Sequence, residues 1–139
     1  IVGTIALGVA MEKTGASSYY AEAFLSLFSG APPQVVLAAI LLLTSVSTQL
    51  LSNNATAILI LPVAISTALA LGVDPKPFII AVCFGASACF ATPIGYQTNL
   101  LVYGPGGYRF SDFLKLGIPL NFVVLIMGSL FIPLIWPFY

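Results

Sequence analysis

Charged side chains are missing from Ala23 to Val73 and again from Pro77 to Tyr108, and apolar residues fill most of both stretches. Two polar islands interrupt them: Ser52-Asn53-Asn54-Ala55-Thr56 and Thr92-Pro93-Ile94-Gly95-Tyr96-Gln97-Thr98-Asn99. Around these islands the pattern predicts helices. In the segment 1–15, Ile1 to Met11 is uncharged but too short for the roughly 20 residues of a bilayer crossing, so it reads as the tail of a longer helix. The start lacks a basic region and a cleavage pattern, so it does not read as a signal peptide, and part of the natural protein is expected to precede it. Glu12-Lys13-Thr14-Gly15 ends the helix, with Gly15 suited to the left-handed C-terminal conformation. Over 16–33, Ser17 or Ser18 can cap a helix from Tyr19 to Ser29. Its Tyr20, Phe24, Leu27 and Phe28 recur at helical spacing, which fits an arm along a membrane interface or a linker helix facing water.

Residues 34–73 allow two readings. Gln34 to Leu51 and Thr56 to Leu71 are either full spans joined by an external turn, or the arms of a re-entrant hairpin whose tip, Ser52 to Ala55, stops inside the membrane. Each arm of about 16 to 18 residues gives roughly 24 to 27 Å, short of a comfortable crossing. The tip also lacks the charge, Gly and Pro of an external turn, so the hairpin is the favoured reading. Gly72-Val73-Asp74-Pro75-Lys76-Pro77 is an interfacial turn whose prolines hold the preceding residues extended. Across 77–104, Phe78 to Phe90 predicts a half-length helix, Ala91-Thr92-Pro93 a break, and Leu100 to Tyr103 a resumed piece. That is the pattern of a discontinuous transmembrane helix. Residues 108–116 read as an interfacial segment, and 117–139 as a final span, Ile118 to Phe138, with aromatic Trp136 and Tyr139 at its end. The fold class expected is an all-α polytopic membrane protein.

Composition agrees: 60% of residues are hydrophobic and 6% charged, the latter about a quarter of the share in a soluble domain. The lipid bilayer is thus a partner. Zero net charge and the lack of a basic cluster argue against nucleic acid. Without histidine, imidazole acid–base work and His metal ligation are excluded. Cys83 and Cys89 fall on different helix faces and read as packing residues. Glu12, Glu22, Asp74 and Asp112 all fall at predicted interfaces, which leaves no buried carboxylate for a proton relay and tilts coupling toward Na⁺. An intramembrane protease would need a serine with a base or a buried Asp pair, so the chain does not read as an enzyme. Lys13 and Lys76 on one face balance Arg109 and Lys115 on the other, so charge does not set orientation.

The chemistry lies at the two islands. Carbonyls of a helix arriving at a bend suit a cation, and N–H groups of a departing helix suit an anion. Thr48 and Ser52, four apart on one helix face, and Asn53 can supply an oxygen shell without a carboxylate. Such a neutral shell fits Na⁺ better than Ca²⁺ or Mg²⁺. Thr92 and Pro93 free carbonyls by breaking the helix, while Thr98 or Asn99 can donate to an oxyanion where the helix resumes. Thr44, Ser45, Ser66 and Thr67 read as hydroxyls bonded back to their own helix or holding helices together.

Thr48-x-x-x-Ser52-Asn53-Asn54-Ala55-Thr56-Ala57 resembles the Ser-Asn-Thr hairpin signature of the divalent anion:sodium symporters, with its preceding hydroxyl residue. Ala91-Thr92-Pro93, Asn99 and the Gly104 to Gly107 cluster resemble the broken helix facing that tip. The order of elements is also similar, and the resemblance covers essentially the whole chain. It implies the C-terminal inverted repeat of a bacterial permease in the plasma (inner) membrane, with its C-terminus extracytoplasmic. It further implies Na⁺-coupled uptake of a dicarboxylate, tricarboxylate or similar divalent anion by an elevator-type mechanism. The implied Na⁺ site is Thr48, Ser52, Asn53 and the backbone around Ala91 and Thr92. The implied substrate site is Ser52, Asn53, Asn54, Thr92, Pro93 and Asn99. Its implied partners are the N-terminal half of the same transporter, a small anionic substrate and a second copy in a homodimer. Asn54 departs from the signature by replacing a threonine, and Ile94 to Thr98 lengthens the junction. Arsenite or Na⁺/H⁺ antiporters of the same superfamily are the main alternative; an oxygen-lined ion channel and a structural membrane subunit are further ones.

Overall fold

The computed structural model describes residues 2–28 and 30–139. Among them are seven helices: α1 (Val2–Lys13), α2 (Ala16–Leu27), α3 (Pro33–Ser47), α4 (Asn53–Leu71), α5 (Lys76–Ser87), α6 (Gln97–Tyr103) and α7 (Phe110–Ile135). No strand occurs among the described residues, as the uncharged apolar runs require. Two helices, α4 and α7, are long and apolar enough to cross a membrane.

Helix ends follow local chemistry. Gly15 takes φ +73° between α1 and α2, as its lack of a Cβ permits. Gly72 takes φ +68° after α4, and the amides of Gly72 and Val73 donate to the carbonyls of Leu69 and Ala68. That pairing closes the helix end in the manner of a Schellman cap. At the other end of α4, the Ser52 hydroxyl accepts the Ala55 amide at 3.3 Å.

Several boundaries differ from those expected. Helix α2 begins at Ala16, so Ser17 sits buried inside it and neither serine caps it; its expected last residue, Ser29, lies outside the described residues. Helix α3 ends at Ser47, which makes Thr48 its C-cap and Ser52 the N-cap of α4. The two therefore do not share a helix face. Helix α5 stops at Ser87, three residues before Phe90, and α6 resumes at Gln97, three before Leu100. The stretch 108–116 is not a separate segment, because α7 runs unbroken for 26 residues through Gly117 and Pro119. Proline at that point removes only the bond to the carbonyl of Lys115, close to the charged end of the helix.

Packing proceeds in layers: α1 and α2 against α4, α4 against α5 and α3, and α7 across α3 and α5. The core joins Val36, Leu37, Ile40 and Leu41 of α3 to Ala64 and Ala68 of α4, Phe78, Ala81 and Val82 of α5, and Ile132 of α7. Small residues set how closely the elements meet, the usual device where lipid offers no hydrophobic drive. A Cβ on Gly85 would lie 2.8 Å from the Cβ of Thr44, and one on Gly117 would lie 2.2 Å from the Phe90 carbonyl oxygen and 2.4 Å from the Ala91 Cα. Gly117 thus presses α7 onto the backbone between α5 and α6, on the apolar side of Lys115. At the far end the Asp74 amide donates to the Phe138 carbonyl at 2.9 Å, tying the α4–α5 turn to the end of the chain.

This contact predicts that Gly117→Ala destabilises the intact protein by about 1–3 kcal/mol through overpacking against backbone that has no side chain to rotate away. Gly104→Ala, where nothing lies within 4 Å of the added carbon, serves as the control. Thermal unfolding in detergent should show a drop of several degrees for the first and none for the second.

Candidate functional site

The bend between α3 and α4 and the unwound segment between α5 and α6 meet, and α3's last residues carry most of the contact. Thr48 is fully buried. Its Oγ1 lies 2.8 Å from the Ala86 carbonyl oxygen and 3.0 Å from Asn53 Oδ1. The Thr48 hydroxyl, the Asn53 side-chain amide and the Ala86 carbonyl thus converge on one point. Ala86 belongs to the last turn of α5, where carbonyls lack helical partners and carry the negative end of the helix dipole. The cluster contains no ionised group, and among the described residues no group of three or more His, Cys, Asp or Glu could hold a metal.

The other expected site residues take different places. Ser52 and Asn54 are exposed at the tip, while Asn53 turns inward to Thr48. Ala91 and Thr92 meet Gln49: the Ala91 amide donates to Gln49 Oε1 at 3.1 Å, and Thr92 Oγ1 donates to the Gln49 carbonyl at 2.7 Å. Pro93 is buried. Asn99 donates through Nδ2 to the carbonyls of Cys89 and Thr92 at 3.0 and 3.2 Å, so both amide protons close the loop onto itself. Thr98 is exposed. Thr44 and Thr67 bond back to the carbonyls of Ile40 and Val63, as expected of hydroxyls in apolar helices.

Three residues given no site role from the sequence complete the site. Gln49 Nε2 donates to the carbonyls of Ser45 and Ala88 at 3.0 and 2.9 Å, in addition to the two bonds its oxygens accept. Cys89 is buried with Sγ 3.1 Å from the Thr48 carbonyl oxygen. A Cβ on Gly95 would fall 2.1 Å from Cys89 Sγ and 2.4 Å from the Thr48 carbonyl oxygen, so only glycine lets the loop approach the end of α3. An amide at position 49, in a run without charge, was the available signal. In addition, Thr56 Oγ1 and Asn121 Oδ1 are buried with no hydrogen-bond partner.

An apolar helical bundle whose two interruptions meet and pair with each other is an arrangement found among membrane transporters. The chain belongs to the citrate transporter family, CitMHS, which matches residues 1–138. It is 42% identical over 98% of its length to an uncharacterized transporter of Synechocystis, covering 22% of that protein. It is 35% identical over 93% of its length to sodium/sulfate cotransporter 1 of Chlamydomonas reinhardtii, covering 15% of it. With solute carrier family 13 member 2 of the rabbit it shares 32% identity over 87% of its length, covering 20% of it. The chain therefore spans about a fifth of the length of the curated relatives it matches. The resemblance to the anion:sodium symporters holds at the level of the family, and these relatives are transporters of membranes, not enzymes.

The loop geometry predicts that Asn99→Leu, which strands two carbonyls, costs about 2 kcal/mol locally. Hydrogen exchange of residues 89–97 in the intact protein should speed up, while α3 and α7 keep their protection.

Proposed function

We propose that this chain is the C-terminal repeat of a Na⁺-coupled anion symporter, taking up a dicarboxylate, a tricarboxylate or a similar divalent anion such as sulfate. The observation that carries the reading is the Thr48 cluster, in which a hydroxyl, a side-chain amide and a helix-end carbonyl converge. Such a neutral set suits a monovalent cation, without the carboxylates that Ca²⁺ or Mg²⁺ recruit. Ser52 and the backbone around Ala91 and Thr92 stand close in the chain to this cluster and complete the proposed ion site. Ser52 and Asn54, exposed at the tip, are the proposed direct contacts of the anion, and Asn53, Thr92, Pro93 and Asn99 form the wall of the proposed substrate site behind them. The two Asn99 bonds to carbonyls give it the role of fixing the shape of the loop rather than donating to the anion.

The tip of the re-entrant hairpin in this reading, expected at Ser52 to Ala55, is the bend at 48–52, because α4 already begins at Asn53. Support comes from the 15 residues of α3, about 22 Å, too few to cross, and from the contact of the break with α7 beyond its last charged residue. The N-terminal repeat of the same transporter supplies the second half of the site, and the assembly is a homodimer in the bacterial plasma membrane working by an elevator-type movement. Names of relatives that contain sodium and sulfate agree with both ion and anion.

Counterflow by the intact protein in liposomes, with succinate, citrate, sulfate and arsenite in turn, identifies the anion. Thr48→Val is expected to raise the Na⁺ concentration for half-maximal uptake by about ten-fold or more, the scale of one lost ligand bond. Thr44→Val, which removes only a bond within α3, should leave it unchanged. Uptake independent of Na⁺, or a Thr48→Val variant with the Na⁺ dependence of the parent, would refute the reading.

A further inference from the structure

Gln49, in the turn just after α3, touches none of the three clustered oxygens, yet its side chain reaches the second interruption at more than one point. Both Nε2 protons are engaged, one by Ser45 in the last turn of α3 and one by Ala88 just past the end of α5. Its Oε1 receives the Ala91 amide and its carbonyl receives the Thr92 hydroxyl. A single residue thereby holds Ala88, Ala91 and Thr92, the part of the chain that has lost helical pairing. Gln49 directly follows Thr48, and Ala88 lies two residues beyond Ala86. Clamping the second pair sets the distance across the first, at which Thr48 Oγ1 meets the Ala86 carbonyl at 2.8 Å.

We infer that Gln49 is the positioning residue of the cation site: it fixes the Ala86 carbonyl against Thr48 and Asn53 by hydrogen-bonding the unwound segment to the end of α3. The inference rests on the cation reading of the Thr48 cluster. Residues that orient ligands without binding the ion themselves typically change affinity by about ten- to a hundred-fold when removed. The same clamp shields Cys89, whose Sγ lies between Thr48 and Gln49 at 3.1 Å from the Thr48 carbonyl and 3.8 Å from Gln49 Oε1. Alkylation of Cys89 therefore reports the clamp directly.

The test uses the purified intact protein, with NaCl titrated against choline chloride at constant ionic strength. Two readouts are followed: the Na⁺-dependent rise in melting temperature, and the rate at which N-ethylmaleimide modifies the peptide carrying Cys89. Gln49→Met keeps the side-chain volume and removes all of its side-chain hydrogen bonds. It is expected to raise the Na⁺ half-saturation about ten-fold and to speed Cys89 alkylation by a similar factor, with the anion KM at saturating Na⁺ unchanged. A residue with only a structural role would lower the melting temperature without moving the Na⁺ half-saturation. Should Gln49→Met fail to fold, Gln49→Asn, one methylene too short to reach Ala91, must show the same two changes.

Thr48→Val separates the two claims. If it abolishes the Na⁺ response while Gln49→Met or Gln49→Asn stays within about two-fold of the parent, the positioning role is overturned and the cation site stands. If Thr48→Val itself keeps the full Na⁺ response, the cation site is overturned and the positioning role with it.

Discussion

A backbone polar group that cannot reach water must find a partner in the protein, and at the end of α5 that requirement organises everything around it. The helix stops at Ser87 and does not resume until Gln97, which frees carbonyls and amides in the middle of an apolar bundle. Their partners come from two places. Thr48 and Gln49 at the end of α3 bind Ala86, Ala88, Ala91 and Thr92, and Asn99 binds Cys89 and Thr92. The interruption is thus a built element with defined hydrogen bonds. It holds its shape because α3 ends beside it.

Close backbone approach makes that arrangement reachable. Gly95 lets the loop touch the Thr48 carbonyl, Gly117 lets α7 lie on Phe90 and Ala91, and Gly85 lets α5 meet α3 at Thr44. The same three helices share the core through Leu41, Val82 and Ile132. Among the described residues, helices α1 and α2 pack chiefly on α4. A displacement of α4 relative to α1 would leave the oxygen cluster intact, whereas a displacement of α3 relative to α5 would pull Thr48 from Ala86. Under the elevator reading, the natural division between fixed and moving parts therefore falls at the α1–α4 contact.

Both interruptions were legible in the sequence because apolar runs stop there, at Ser52 and at Thr92-Pro93. The all-helical architecture was read from long apolar runs at membrane-helix spacing, and the Gly15 and Gly72 turns from glycine shortly after the helical residues. Directions of side chains were not legible. Residue type says that Asn99 can donate, but only the fold shows that its protons go to Cys89 and Thr92. Gln49 counted only as part of the polar load of its stretch, because its partners are some forty positions away in the chain. A boundary was expected between 116 and 117, yet α7 runs through it: Gly117 serves packing on Phe90, and Pro119 disturbs only one turn near the charged end of the helix.

The lack of charge in the cluster bears on coupling within the proposed reading. An empty site of hydroxyl, amide and carbonyl oxygens carries no ionised group through a low-dielectric region, whereas a carboxylate cage would. Filling it with Na⁺ places an uncompensated positive charge at the tip, and that charge is costly to move until an anion settles nearby. Ser52 and Asn54 are exposed at the same bend whose Asn53 turns toward the ion. Cation and anion then stabilise each other across one residue of backbone. In the proposed reading, this mutual stabilisation is what ties the cation to the anion, with no carboxylate in the Thr48 cluster.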